Sequence, residues 1–97
     1  RHIPEEYSLA QNYPNPFNPV TTINYNLPDE AQVTIVVYDL MGRIVNTLVN
    51  NKHTTAGYKS VVWNATDDMG TPVSAGLYFY QIHAGDFTQV RKMVLLK

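Results

Sequence analysis

Histidine is the side chain best suited to bind a metal or transfer a proton near neutral pH, and this chain has three: His2, His53 and His83. No two of them stand at the i, i+2 or i, i+4 spacing that is typical of a zinc site. The spacing therefore predicts no zinc centre. We expect His83 to face solvent or to satisfy the end of a strand.

Carboxylates offer a second chemistry, and one local cluster deserves comparison with a calcium loop. Asn64, Asp67 and Asp68 stand ahead of Gly70, and oxygen ligands at short spacing in a glycine-closed loop are those that Ca²⁺ uses. The alternating acidic residues and the downstream glutamate of a calcium loop are missing. The favoured reading is that these side chains cap their own backbone in a tight turn.

The sequence lacks the arrangements that support covalent catalysis. It has no cysteine, which excludes disulfides, thiol catalysis and thiolate metal sites. None of its serines lies in a G-x-S-x-G elbow, and its glycines stand singly between expected strands, so no phosphate-binding loop is present. We therefore expect no catalytic residue, no cofactor and no enzymatic activity.

Aromatic side chains suggest a binding chemistry instead. A platform for stacking sugar rings would require several of the following to face water: Tyr25, Tyr38, Tyr58, Trp63, Tyr78, Phe79 and Tyr80. Strand alternation places Tyr78 and Tyr80 on one face and Phe79 on the other, and Trp63 is expected between two sheets. We expect core packing, and keep a carbohydrate-binding β-sandwich of a glycoside hydrolase as the alternative function.

Length and charge restrict the partners. With 97 residues the chain has room for one domain and one core. Its net charge of −1 leaves no basic surplus for a nucleic acid, and no apolar run approaches the ~20 residues of a membrane helix. The chain begins at Arg1 without a methionine or a signal peptide, so we interpret it as part of a longer exported protein.

The elements that would position these residues are strands. β-Branched and aromatic runs bounded by turn residues predict strands at 8–10, 20–27, 33–38, 43–49, 58–63, 77–83 and 87–96. No helical apolar period persists, so no substantial helix is expected. The predicted fold class is all-β, an antiparallel Ig-like or fibronectin III-like β-sandwich of about seven short strands.

Turn residues divide these strands. Asp39 suits the first position of a type I turn, and Gly42 can take the left-handed conformation that closes a hairpin. The polar run 50–57 predicts a loop. Four of the six prolines lie between Pro14 and Pro28, which predicts a stiff, extended and turning segment that is not helical.

Three segments carry a specific resemblance in a fixed order. They are LAQNYPNPFNPVTTINYNLP, VTIVVYDLMGRIVNTLV, and the stretch from VVWNATDDMG to the end of the chain. Together, over residues 8–97, they resemble the type A C-terminal sorting domain of the type IX (Por) secretion system of Bacteroidetes and related bacteria. The third segment also resembles the Ig-like domain of the flagellar hook-capping protein. After the tryptophan, this chain has Asn64 and Ala65 where the sorting-domain family more often has Asp-Gly. This departure weakens the case for a bound cation.

The resemblance implies a non-catalytic module at the end of a larger passenger, often a hydrolase or an adhesin. The passenger would pass through the periplasm to an outer-membrane translocon, a sortase-like peptidase would remove the module, and the passenger would reach the cell surface or the medium. Residues 1–10 are the expected linker and cleavage region, and 8–97 the expected sorting domain. A structural spacer or subunit contact domain is a third hypothesis.

Matched by position, the family's motifs fall on three sets of residues. Those expected to be recognised are Pro14, Asn15, Pro16, Gly76, Tyr78, Arg91, Lys92, Met93, Val94, Leu95, Leu96 and Lys97. Every charge after Asp86 is positive. If the terminal strand is an edge, its unpaired backbone groups could add to a partner's sheet, including that of a second copy in a homodimer. The other reading is a plain closing strand with Met93 and Leu95 inside.

Overall fold

Seven strands and no helix make up the described part of the chain. The structure is a computed structural model that describes residues 3–96, so the expectations for His2 and Lys97 lie outside it. No helix that could cross a membrane is found in this range. In chain order the strands are β1 (Ser8–Leu9), β2 (Thr21–Leu27), β3 (Ala31–Tyr38), β4 (Ile44–Thr54), β5 (Gly57–Trp63), β6 (Gly76–Ala84) and β7 (Phe87–Leu95).

The strands form two antiparallel sheets that enclose one core. One sheet has the order β1-β2-β5 and the other β4-β3-β6-β7. The predicted all-β sandwich is thereby confirmed. Side chains from both sheets meet inside, and the alternation expected for β6 is seen, because Tyr78, Tyr80 and Ile82 are all buried. The largest fully buried side chain is that of Trp63, between the sheets as expected.

The loop expected at 50–57 is wrong over its first five residues, because β4 continues to Thr54. Register shifts between β3 and β4 let the polar end of β4 pair with the start of β3, with Lys52 opposite Val33 and His53 opposite Gln32. β4 is an edge strand, and side chains at its polar end are mostly exposed. The end of β4 can therefore be polar, because its side chains face solvent and not the core.

The β3–β4 turn follows the prediction. Gly42 has φ +81°, which places it in the left-handed region that glycine adopts without strain. Asp39 Oδ1 accepts the backbone N–H groups of Met41 (2.9 Å) and Arg43 (3.0 Å). The hydrogen bond from the Arg43 backbone, helped by the Arg43 guanidinium, lowers the pKa of Asp39. The carboxylate therefore acts as a fixed acceptor that shapes the turn.

Candidate recognition site

The three matched motifs meet at one end of the β4-β3-β6-β7 sheet: the turn 14–16, the G-x-Y motif 76–78 and the described part of the terminal motif, 92–96. In the β6–β7 register Gly76 lies opposite Leu95 and Tyr78 opposite Met93. On the other side of β7, Phe17 forms a parallel bridge with Leu95. The terminal strand is therefore held between the G-x-Y motif and residues 12–19, the proline-rich segment.

Residues of the proline-rich segment occupy the outer edge of β7. The Val94 N–H donates to Asn15 Oδ1 (2.9 Å), and the Phe17 N–H donates to the Val94 carbonyl (3.0 Å). The Leu96 N–H then donates to the Phe17 carbonyl (2.8 Å). The edge expected to be open is thus covered near the chain's end.

Two further contacts extend this cover toward the middle of β7. Gln11 Nε2 donates to the Lys92 carbonyl (2.6 Å), and Arg91 Nε donates to the Leu9 carbonyl (2.6 Å). The predicted homodimer through the terminal strand would have to use the uncovered part, Thr88–Val90. That homodimer stays a prediction.

Phe17 anchors the proline-rich segment in the core. Its side chain is 1% exposed, and its ring centroid lies 5.8 Å from that of Trp63. Trp63 in turn meets Tyr78 edge-on at 5.5 Å. The peptide bonds before Pro14, Pro16 and Pro19 are cis. Because the neighbouring Phe17 ring is buried, it fixes the position of these exposed prolines.

The Tyr80 hydroxyl fixes the start of the same segment. It accepts the Asn12 N–H and donates to the Ala10 carbonyl, both at 2.7 Å. The Asn12 side chain is buried as well, and its Nδ2 donates to Thr21 Oγ1 (3.0 Å) and the Pro14 carbonyl (3.2 Å). Burial raises the pKa of Tyr80 to about 12. The hydroxyl is thus a permanent donor and acceptor at physiological pH.

Tyr80→Phe should lower the free energy of unfolding by about 1–3 kcal/mol, because it removes the partner of the Asn12 N–H and the Ala10 carbonyl. Urea denaturation measures this change. Tyr58→Phe is the matched control, since Tyr58 is 64% exposed and should shift the midpoint little. Equal effects of the two substitutions would contradict the bridging role of the Tyr80 hydroxyl.

The raised pKa of Tyr80 also predicts alkaline instability. An unfolded tyrosine ionises near pH 10, whereas folded Tyr80 keeps its proton to about pH 12. Its contribution is therefore complete below pH 10 and declines between pH 10 and 12, by up to about 3 kcal/mol. Thermal melts from pH 8 to 12 should show a smaller decline in Tyr80→Phe than in the wild type.

The predicted recognition residues divide into exposed and buried groups. Tyr78, Met93 and Leu95 are buried; a partner cannot touch Met93 or Leu95 without unfolding the sheet, whereas Tyr78 lines a surface pocket beside Gly76. The exposed ones are Pro14, Asn15, Pro16, Gly76, Lys92 and Leu96, while Arg91 and Val94 are intermediate. Lys97 lies beyond the described residues.

The sequence reasoning missed the groups that hold this site together. Phe17 was not assigned to the core, and Tyr80 was expected inside without a role for its hydroxyl. A lone phenylalanine among asparagines and prolines is a signal that could have indicated an anchor. No sequence signal marks Asn12 for burial.

All three candidate cation ligands accept hydrogen bonds within the protein, and Asp67 serves the backbone of its own turn. Asp67 Oδ1 accepts the backbone N–H groups two and four positions later (2.9 Å each), the same pattern as at Asp39. Asp68 Oδ1 accepts the N–H of Thr47 (2.9 Å), and Asn64 Oδ1 accepts the hydroxyl of Thr66 (2.6 Å). Within residues 3–96 no group of three acidic, histidine or cysteine side chains could hold a metal.

The described histidines and aromatics offer no second site. His53 lies near Glu30 (3.5 Å), while His83 Nδ1 contacts Thr88 Oγ1 (3.1 Å) on the adjacent strand and the residue is exposed, as predicted. Among the seven aromatics considered for sugar stacking, Tyr58 is the exposed one. A platform built from several of those seven is therefore not formed.

Comparison with known proteins agrees with this geometry. The sequence model of a family described as "Secretion system C-terminal sorting domain" matches residues 11–96. Among solved structures, the fold is similar to part of PorZ, a bacterial surface component of the type IX secretion system of Porphyromonas gingivalis. The two are 21% identical with a TM-score of 0.59, and the match covers 94% of this chain and 11% of PorZ.

No curated protein matches the chain. The likeness to PorZ shows the fold, and this chain spans about a ninth of that protein's length. The family match covers most of the residues and includes the proline-rich segment, β6 and β7. This chain belongs to the family of secretion system C-terminal sorting domains.

Proposed function

We propose that this domain is read in its folded state by an outer-membrane translocon of the type IX system, and that it performs no chemistry itself. The observation that carries the proposal is the joining of three family motifs at one end of one sheet. A signal assembled from distant segments is displayed only by the folded chain. Family membership supports the class of partner.

The surface at this site has a definite chemistry. A shallow groove of about 360 Å³ is lined by Gln11, Phe79, Val90, Arg91 and Lys92. Two of these side chains are cationic and none is acidic. The matching surface on the translocon should therefore be apolar with acidic groups at its rim.

The passenger would precede the sandwich, and the peptidase would act ahead of Tyr7. Tyr7 stacks on Phe87 with ring centroids 5.5 Å apart, Leu9 is 1% exposed, and Pro4 is buried as well. Glu5 and Glu6 are exposed and outside the strands. Cleavage ahead of Pro4 or at the exposed Glu5 and Glu6 would leave all seven strands intact, and the freed passenger would pass to the cell surface or the medium.

A secretion assay with folded variants tests the proposal. A fluorescent reporter would carry an inner-membrane export signal and end in residues 1–97, in a host with type IX machinery. Lys92→Glu with Leu96→Asp alters two exposed residues of the site. Lys52→Glu with Met69→Asp introduces the same two negative charges at exposed residues outside it.

We expect the wild type and the Lys52/Met69 pair to be secreted, and the Lys92/Leu96 pair to stay in the periplasm. Circular dichroism would first establish that all three fold. Secretion of the Lys92/Leu96 pair at the wild-type level would refute recognition through this surface. Failure of the wild type to leave the periplasm would refute the sorting role in that host.

A further inference from the structure

The edge of β5 is the sheet edge that the described residues leave uncovered over its whole length. In the other sheet, the Asp68 N–H donates to the Val45 carbonyl (3.1 Å) and its side chain accepts the Thr47 N–H (2.9 Å), which covers part of β4. The proline-rich segment covers part of β7. β5 pairs with β2 on one side, and the described residues place no strand on its other side.

The hydrogen bonds of β2 determine which β5 residues face outward. The Thr22 and Asn24 backbones bond to residues 13 and 10, on the β1 side. Alternate residues of a strand direct their backbone groups to opposite sides. Ile23 and Tyr25 therefore bond to β5, opposite Val61 and Lys59.

The backbone N–H and C=O groups of Tyr58, Ser60 and Val62 consequently point away from β2. Two of these residues carry exposed apolar side chains, with Tyr58 64% exposed and Val62 57% exposed. An uncovered edge with apolar side chains is a template for strand addition.

We propose that this edge pairs with the same edge of a second copy of the chain, antiparallel about a two-fold axis at Ser60. In that register Ser60 faces its counterpart, and Tyr58 faces Val62 of the other copy in both directions. All three residues with free backbone groups then fall on hydrogen-bonded pairs, and each pair exchanges two bonds. The two three-stranded sheets become one continuous sheet.

The side chains fit this self-pairing. Tyr58 and Val62 form aromatic to β-branched cross-strand pairs, which stabilise antiparallel sheets. Lys59 is the one charged residue of β5, and it would lie opposite Val61 rather than another lysine. Its Nζ donates to Thr55 Oγ1 at 2.9 Å. The inference does not depend on the sorting role proposed above.

Single cysteines test the register, because the natural chain has none. In Ser60→Cys the two thiols would lie across a pair whose Cα atoms are about 5.5 Å apart, within disulfide range. In Val62→Cys the thiols would be four residues out of register, roughly 13 Å apart. Tyr58→Cys should crosslink to Val62→Cys in a mixture but not to itself.

We expect Ser60→Cys to form covalent dimers at least about tenfold faster than Val62→Cys under mild oxidation. Sedimentation equilibrium of the wild type should show a dimer with a Kd on the order of 0.1–1 mM, because the contact is one strand wide. Equal crosslinking of the two variants, or a wild type that stays monomeric at 1 mM, would overturn the proposal.

Proline substitutions then locate the edge. Ser60→Pro removes an N–H that faces solvent, a position where edge strands accept proline, and it should abolish the dimer. Val90→Pro makes the same change on the uncovered part of β7 and should leave the dimer intact. The opposite pattern would assign the contact to β7 and overturn the proposal.

Discussion

Phe17→Ala should lower the free energy of unfolding by about 3–5 kcal/mol, the usual cost of truncating a buried phenylalanine. The ring is 1% exposed and packs against Trp63. The substitution would leave a cavity between the sheets at the point where the proline-rich segment meets β7. Against a typical total of about 5–15 kcal/mol, the loss would leave the domain marginal at 37 °C. Urea denaturation followed by Trp63 fluorescence measures it.

Tyr13→Ala is the matched control, because it truncates an aromatic of the same segment that is 78% exposed. We expect a change within about 0.5 kcal/mol. If both variants lost several kcal/mol of unfolding free energy, the stabilisation by this segment would not depend on burial of the Phe17 side chain.

Deletion of residues 92–97 should unfold the domain. Met93 and Leu95 are 0% and 1% exposed, and loss of each large apolar side chain from a core costs about 2–5 kcal/mol. The deletion also removes the backbone partners of Phe17. Together these losses are comparable with the whole stability of a small domain. Far-ultraviolet circular dichroism and amide chemical-shift dispersion should show an unfolded chain.

The full-length variant Lys92→Ala with Leu96→Ala should stay folded under the same conditions, since both side chains are exposed. A folded deletion variant would mean that β7 is dispensable for the sandwich. If the deletion unfolds as expected, its failure to be secreted says nothing about recognition. Substitution of exposed residues is then the informative experiment.

The strands of the sandwich could be predicted because each obeys a local rule. The alternation of Tyr78, Tyr80 and Ile82 was enough to assign the inner face of β6. The end of β4 does not obey such a rule, since residues 50–54 lie at an edge where exposed polar side chains are acceptable. The polar composition of residues 50–54 predicts a loop, but their pairing with β3 makes them part of a strand.

The site itself depended on contacts that no local rule contains. Asn15 and Val94 are separated by 79 positions, and their hydrogen bond is between a side chain and the backbone. Family motifs indicated which segments matter without indicating that they touch. The same motifs do not separate Lys92, which is exposed, from Met93, which is buried.

The hydrogen bonds between Phe17 and the end of β7 also set an order of events during synthesis. The partners of Phe17 are made nearly eighty residues later, and at roughly 5–20 residues per second the proline-rich segment waits about 4–16 s for them. A polypeptide truncated before β7 would lack the buried side chains of Met93 and Leu95 and the backbone partners of Phe17. Synthesis of β7 is thus a condition for closing this end of the sandwich, and under the folded-state recognition proposed above a product truncated before β7 would lack the signal.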